Sequence, residues 1–125
     1  MSIRILIADD APFIRELLKE LLEPRGFVIV GEAQDGVEAV ELAEQLKPDV
    51  ILMDLVMPKK SGVEATTEIV KRQPRVKVIA CSTLDQETMM LKAIEAGCCH
   101  YVTKPFEAKD LVQAIEKAVQ QGGEI

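Results

Sequence analysis

The chain alternates without interruption between short apolar runs typical of β-strands and longer segments with apolar residues at helical spacing. The strand-like runs cover residues 3–8, 27–33, 50–53, 76–81 and 99–103. A helical pattern follows each of them. Because such alternation produces parallel strands joined by right-handed crossovers, we predict an α/β fold. It would be a (βα)5 doubly wound sheet of five parallel strands with helices on both faces.

Local signals mark the ends of the predicted helices. Pro12 suits the first turn of the first helix, and Asp35 can cap the second. We expect the fourth helix to begin at Asp85 and to be capped at its C-terminus by Gly97. The last helix is predicted over residues 107–121. Its inner face would carry Leu111, Val112, Ile115, Ala118 and Val119.

Length and net charge limit the number of domains and the classes of partner. The 125 residues suffice for one domain with a real core, so we expect a single domain over residues 1–125. Its core would span about 3–121, followed by a short C-terminal tail. The net charge of −6 argues against nucleic acid or an anionic membrane as a direct partner.

The cysteines and the hydropathy of the sequence indicate the cellular compartment of the protein. Cys81, Cys98 and Cys99 do not have metal-ligand spacing, and they fit a reducing compartment. No apolar run approaches the roughly 18 residues that a membrane span needs, and the N-terminus does not read as a signal peptide. We therefore expect a cytoplasmic protein, and we expect it to be a monomer.

Polar residues follow four of the five predicted strands. Asp9 and Asp10 come after the first, Asp54 after the third, Ser82 after the fourth and Lys104 after the fifth. The C-terminal ends of parallel strands share one edge, where ligands bind in such folds, so these side chains should meet. Carboxylates about 4 Å apart repel by roughly 4 kcal/mol per pair at an effective dielectric near 20, which a cation or a proton must offset. We predict a Mg²⁺ site built around a reactive aspartate.

This set of residues suits phosphoryl transfer. The Asp54 carboxylate can attack phosphorus and form an acyl phosphate. Asp9 or Asp10 can hold Mg²⁺, while Lys104 can offer a cation to the phosphoryl oxygens. Simpler roles remain open from the residues alone: helix capping by the acidic pair, an Asp54–Lys104 ion pair, a solvated lysine, and a local turn hydrogen bond from Ser82.

The motifs together resemble the receiver domain of bacterial two-component response regulators, especially the stand-alone chemotaxis regulators of the CheY type. They are Asp9-Asp10, Asp35-Gly36, Pro48-Asp49, residues 53–58 with Gly62, Ser82, Ala96-Gly97 and residues 104–106. Each motif alone is weak, but their order on these elements is specific. The resemblance covers residue 3 to about 121. It implies a flavodoxin-like sheet order of 2-1-3-4-5, which comes from the family and not from the strand pattern itself.

The resemblance also implies roles in acceptance of the phosphoryl group. Asp54 would be the acceptor. Asp10 would be the main Mg²⁺ ligand, with Asp9 acting mostly through water. Asp54 and the backbone carbonyl of Val56 would complete the protein ligands.

Further roles concern the response. Ser82 would be the switch hydroxyl and Lys104 would pair with the phosphoryl group. Tyr101 would be the switch aromatic that turns inward. The alternative interpretation is a half-buried strand tyrosine with a hydrated hydroxyl. The surface made by the fourth helix, fifth strand and fifth helix would then change shape.

The partners implied by the resemblance are a histidine kinase as phosphodonor and an output protein, with the flagellar motor switch as one candidate. The domain would catalyse only its own phosphorylation and dephosphorylation, so it would not be an enzyme in the usual sense. Kinases of this class usually dock near the first helix. There, helical spacing assigns most of Phe13, Ile14 and Leu17 to the core.

Several alternatives stay open. Within the class, the chain could be a phosphorelay shuttle, a phosphate sink or a receiver cut from a larger regulator. Outside it, the chain could be an interaction module that is never phosphorylated. A flavodoxin-like cofactor protein is disfavoured because two carboxylates would repel a phosphate after the first strand. An aspartate-nucleophile phosphatase is disfavoured because Asp9 and Asp10 are adjacent.

Overall fold

Five parallel strands form the centre of the molecule, in the order β2-β1-β3-β4-β5. The computed structural model describes residues 2–121, except for the side chains of Leu84 and Gln121; the predicted tail after residue 121 lies outside the described residues. The strands are β1 (Arg4–Ala8), β2 (Val28–Ala33), β3 (Val50–Asp54), β4 (Lys77–Ser82) and β5 (His100–Thr103). The predicted fold class and strand order are confirmed.

Helices cover both faces of the sheet. They are α1 (Pro12–Leu22), α2 (Gly36–Leu46), α3 (Gly62–Arg72), α4 (Glu87–Ala96) and α5 (Ala108–Gln121). The first core cluster joins one face of the sheet to α2, α3 and α4. The second joins the other face to α1 and α5. Among the helices of the described chain, none is both long and apolar enough to span a membrane.

The central strand β3 shows why the strand-like runs are apolar throughout. Successive side chains on a strand point to opposite faces. Ile51 and Met53 enter the core cluster beneath α2 and α3, while Val50 and Leu52 enter the cluster beneath α1 and α5. Because both faces are covered, every residue of β3 is buried.

Most of the predicted helix ends are confirmed. Pro12 is the first residue of α1, the Asp35 carboxylate accepts from the Glu38 backbone N–H at 2.8 Å, and Gly97 caps α4 with φ of 124°. The predicted start of the fourth helix at Asp85 is wrong. Residues Leu84–Gln86 form a 3₁₀ turn, and the α-helix begins only at Glu87. The backbone N–H of Thr83 donates to the Gln86 side chain at 3.1 Å, which stabilises the tighter turn.

Three apolar side chains are more exposed than predicted. Phe13 is 72% exposed, and Leu17 and Val119 are also exposed. On α1 the inward stripe runs through Ile14 and Leu18. Phe13 and Leu17 each lie one residue earlier, and one residue rotates a helical position by about 100°. The assignment of Phe13 and Leu17 to the core, and of Val119 to the inner face, is therefore corrected.

Candidate functional site

Three carboxylates converge at the C-terminal edge of the sheet. Asp9, Asp10 and Asp54 each offer an oxygen, and these oxygens all lie within 4.8 Å of one another. The pairing of β1 with β3 brings the aspartates together, since Ala8 lies opposite Met53. Asp9 and Asp54 are buried, whereas Asp10 is exposed. Such oxygen donors are the ligands that Mg²⁺ prefers, so the donor set fits this metal.

Lys104 supplies the cation of the site. Its Nζ lies 2.9 Å from Asp9 Oδ2 and 3.5 Å from Asp54 Oδ1. Its backbone N–H donates to the Ser82 carbonyl at 2.7 Å, and the Lys104-Pro105 peptide bond is cis. The lysine thus follows β5 with its backbone tied to the end of β4. Its ammonium group faces the carboxylates and is mostly shielded from solvent.

One lysine does not offset the charge on the acidic residues. Burial, followed by the charge on Asp9, raises the pKa of Asp54 to about 6, although Lys104 opposes the shift. Burial also lowers the pKa of Lys104, but its hydrogen bond to Asp9 and the charge on Asp54 outweigh this and leave that pKa raised. The Lys104 ammonium is closer to Asp9 than to Asp54. Lys104 therefore compensates the charge of Asp54 only in part.

Two glycines allow the loop after β3 to approach its surroundings closely. A Cβ atom on Gly62 would lie 2.1 Å from the backbone oxygen of Asp54. A Cβ atom on Gly36 would lie 2.0 Å from the backbone oxygen of Lys60. Neither position can hold a larger residue unless the backbone moves. The loop is thus fixed against Asp54 at one side and against the start of α2 at the other.

The same loop carries Val56, the predicted source of a ligand carbonyl. The Val56 backbone N–H donates to Asp54 Oδ1 at 3.4 Å, so this backbone lies beside the Asp54 carboxylate. The Val56 side chain is half exposed at the rim of the site.

The two predicted switch residues, Ser82 and Tyr101, lie on the neighbouring strands β4 and β5. Ser82 ends β4, next to the strand that carries Asp54. Its hydroxyl is fully buried and has no hydrogen-bond partner in the described part of the chain. A buried polar atom without a partner costs about 1–3 kcal/mol. Tyr101 lies on β5 and is 46% exposed.

One basic side chain at the site had no place in the sequence-based prediction. The Arg15 guanidinium donates to the backbone oxygen of Asp9 at 2.8 Å. Helical side chains point toward the N-terminus of their helix, so an arginine in the second turn of α1 can reach back to the acidic pair. Its position five residues after Asp10 was the available signal.

Comparisons with known proteins agree with this geometry. The model of the response regulator receiver domain family matches residues 5–116. The chain belongs to this family. The chemotaxis protein CheY of Thermotoga maritima is 43% identical to this receiver domain over 117 residues, which cover 94% of this chain and 98% of that protein.

Two solved structures are similar to this receiver domain. The response regulator domain of Thermotoga maritima CheB has a TM-score of 0.89 and 37% identity, covering 96% of this chain and 98% of that one. The CheY of the CheX–CheY–BeF₃–Mg complex from Borrelia burgdorferi has a TM-score of 0.86 and 26% identity, covering 92% of this chain and 87% of that one. The predicted resemblance to CheY-type receivers is confirmed.

Family membership sets the general role of the protein. It is a CheY-like receiver domain of a two-component response regulator, and receiver domains are signalling switches rather than enzymes in the usual sense. Receiver domains bind Mg²⁺ at an acidic pocket, and this chain has a cluster of three aspartates.

Proposed function

We propose that the domain accepts a phosphoryl group on Asp54 from a histidine kinase, in a Mg²⁺-dependent reaction, and then controls an output protein. The observation that carries this proposal is the convergence of Asp9, Asp10 and Asp54 beside Lys104. A nucleophilic carboxylate, oxygen ligands for a metal and a cation for the phosphoryl oxygens are the parts that phosphoryl transfer requires. The similarity to CheY proteins over nearly the whole chain supports it.

The residues of the site would contact the metal in two ways, directly or through water. Asp9 Oδ1 accepts from the Ala11 backbone N–H at 2.9 Å and Oδ2 accepts from Lys104, so we expect Asp9 to reach a metal mostly through water. Asp10 is exposed, so its carboxylate is accessible to the ion. Asp10, Asp54 and the Val56 carbonyl would be the direct ligands. When bound, Mg²⁺ neutralises charge on the transferred group.

The chemical step forms one bond and breaks one bond. An oxygen of Asp54 attacks phosphorus, the P–N bond of the kinase phosphohistidine breaks, and its electron pair returns to the imidazole nitrogen. Lys104 Nζ is already 3.5 Å from Asp54 Oδ1 and can move onto the phosphoryl oxygens. The Ser82 hydroxyl, which has no partner among the described residues, can donate to one of them.

The same contacts provide a switch. Movement of Ser82 toward the phosphoryl group would leave space for Tyr101 to turn inward from its half-exposed position. The surface of α4, β5 and α5 would then change shape, through a shift in population between two packing arrangements. We propose that this surface binds the output protein, with chemotaxis as the pathway and the flagellar motor switch as one candidate. The Borrelia CheY in complex with CheX shows that one relative has a protein partner.

The test is the intact mass of the protein after incubation with Mg²⁺ and acetyl phosphate. We expect one phosphoryl group on the wild type, none without Mg²⁺ and none on Asp54→Asn. Asp110→Asn, an exposed aspartate on α5, is the matched control and should be modified normally. Equal modification of Asp54→Asn would place the phosphoryl group on another residue and contradict the proposal. No modification of the wild type would instead favour an interaction module that does not depend on phosphorylation.

A second role has some support. The similar CheB structure is described as a response regulator domain, so this chain could be the receiver of a larger regulator. The same phosphoryl transfer to Asp54 would then control an attached domain in place of a separate partner. A phosphorelay shuttle or a phosphate sink would use the same site as well.

A further inference from the structure

Arg15 connects the acidic pair to the neighbouring strand. Its Nη1 donates to the Asp9 backbone oxygen at 2.8 Å, and its Nε donates to Glu32 Oε1 at 3.0 Å. Glu32 lies on β2, directly before Ala33, whose carbonyl accepts the Asp9 backbone N–H at 3.0 Å. Both backbone polar groups of Asp9 are therefore held from β2, one directly and the other through Arg15.

This connection fixes the peptide between the two aspartates. The carbonyl of Asp9 and the N–H of Asp10 belong to one planar unit, so holding the carbonyl sets the direction in which the chain enters Asp10. The Asp10 side chain is exposed and accepts no hydrogen bond from the described residues. Its placement near Asp54 must therefore come from the backbone.

We propose that Arg15, held by Glu32, is a positioning residue of the metal site: it orients the Asp9–Asp10 peptide so that the Asp10 carboxylate meets that of Asp54. This inference rests on the proposed function, because it takes Asp10 as a Mg²⁺ ligand. A planar guanidinium has several donors at fixed angles and can hold a carboxylate and a carbonyl together, which an ammonium group does less well. Lys19 also pairs with Glu32, at 3.3 Å, and keeps that carboxylate in place.

An electrostatic role and a positioning role of Arg15 predict opposite effects on the affinity for Mg²⁺, which makes the inference testable. Arg15 carries a positive charge close to the Mg²⁺ site. If its charge were all that mattered, removal of the charge would strengthen Mg²⁺ binding. If it positions Asp10, the same removal would weaken binding.

The experiment is a Mg²⁺ titration of the full chain followed by the ¹⁵N NMR signals of the site amides. We expect Arg15→Gln to bind Mg²⁺ about tenfold more weakly than the wild type, since groups that orient metal ligands contribute factors of 10–100. Arg15→Lys keeps the charge and should also bind more weakly. Arg72→Gln, which removes a guanidinium from an exposed pair with Glu44, is the matched control and should bind normally. At saturating Mg²⁺, phosphorylation of Arg15→Gln by acetyl phosphate should recover.

The outcomes separate this inference from the proposed function. A wild type that does not bind Mg²⁺ would contradict the proposed function itself. A wild type that binds, with Arg15→Gln and Arg15→Lys at equal or higher affinity, would overturn the positioning role alone. If Arg15→Gln fails to fold, Arg15→Lys decides the question together with Glu32→Gln. Glu32→Gln keeps Arg15 but weakens the contact that holds its guanidinium in place. Weaker Mg²⁺ binding by both supports the inference, and normal binding by both refutes it.

Discussion

The two halves of the site differ in how well their polar groups are satisfied. In the acidic half (Asp9, Asp10, Asp54 and Lys104), the Asp9 carboxylate has partners on both oxygens, and Lys104 lies between two buried carboxylates. In the hydroxyl half (Ser82 and Tyr101), the Ser82 hydroxyl is 0% exposed and has no partner in the described chain. One half is already assembled, whereas the other holds a hydroxyl that is free among the described residues to donate to a new acceptor. This contrast supports an order of events in which the acidic half accepts the phosphoryl group and the hydroxyl half responds.

The largest loss of stability should come from removing the cation of the acidic half. Without Mg²⁺ at pH 8, Lys104→Met should lower the free energy of unfolding by about 3 kcal/mol, because it leaves two buried carboxylates without their partner. The loss should shrink at pH 5, where Asp54 can take up a proton. Urea denaturation measures both values. Lys109→Met, an exposed lysine on α5, is the control; an equally small loss in both variants would mean that Lys104 does not hold this half together.

Replacing the Asp54 carboxylate by a neutral amide should raise the free energy of unfolding, whereas Lys104→Met should lower it. The pKa of Asp54 rises from 3.8 to about 6 on folding, so its ionised form opposes folding. At 1.36 kcal/mol per pKa unit, Asp54→Asn should stabilise the Mg²⁺-free protein by about 3 kcal/mol at pH 8. The gain should be absent below pH 3.8, grow as the pH rises and become constant above about pH 6. Mg²⁺ should reduce it by stabilising the wild type. A variant less stable than the wild type at pH 8 without Mg²⁺ would contradict the account of the acidic half.

In the same assay, the Ser82 hydroxyl should contribute no stability, in contrast to a buried hydroxyl that has a partner. Thr66 is a buried hydroxyl that donates to the Gly62 carbonyl at 2.7 Å, so Thr66→Val should cost about 1 kcal/mol. Ser82→Ala removes a buried hydroxyl without a partner in the described chain, and such a hydroxyl costs about 1–3 kcal/mol, so this variant should be at least as stable as the wild type. Comparable losses in the two variants would show that Ser82 is satisfied in the resting protein.

The fluorescence of Tyr101 should report the proposed inward turn of its ring. It is the one tyrosine of a sequence without tryptophan, so the intrinsic fluorescence reports on this residue. Quenching by iodide should fall when Mg²⁺ and beryllofluoride are added, because the ring moves from a half-exposed to a more buried position. Ser82→Ala should weaken this change. Unaltered quenching in the wild type would remove Tyr101 from the switch.

Particular residues show what the sequence could predict. The apolar runs that become buried strands and the polar residues after them were readable, because one periodicity and one rule about parallel sheets locate them. The Arg15–Glu32 pair joins residues 17 positions apart on neighbouring elements, so it depends on tertiary packing. The exposure of Phe13 was missed because an apolar side chain next to an inward stripe resembles part of that stripe. That Ser82 has no partner among the described residues depends on every atom around it, which no local pattern contains.

The central claim is that Asp54 is the residue that accepts the phosphoryl group, and its most direct test is to identify the modified side chain. Borohydride reduces an aspartyl phosphate to homoserine, which peptide mass spectrometry can locate. After incubation with Mg²⁺ and acetyl phosphate followed by reduction, we predict homoserine at Asp54 and at no other aspartate. Homoserine at Asp9 or Asp10, or none in a wild type that has gained a phosphoryl group, would contradict the account.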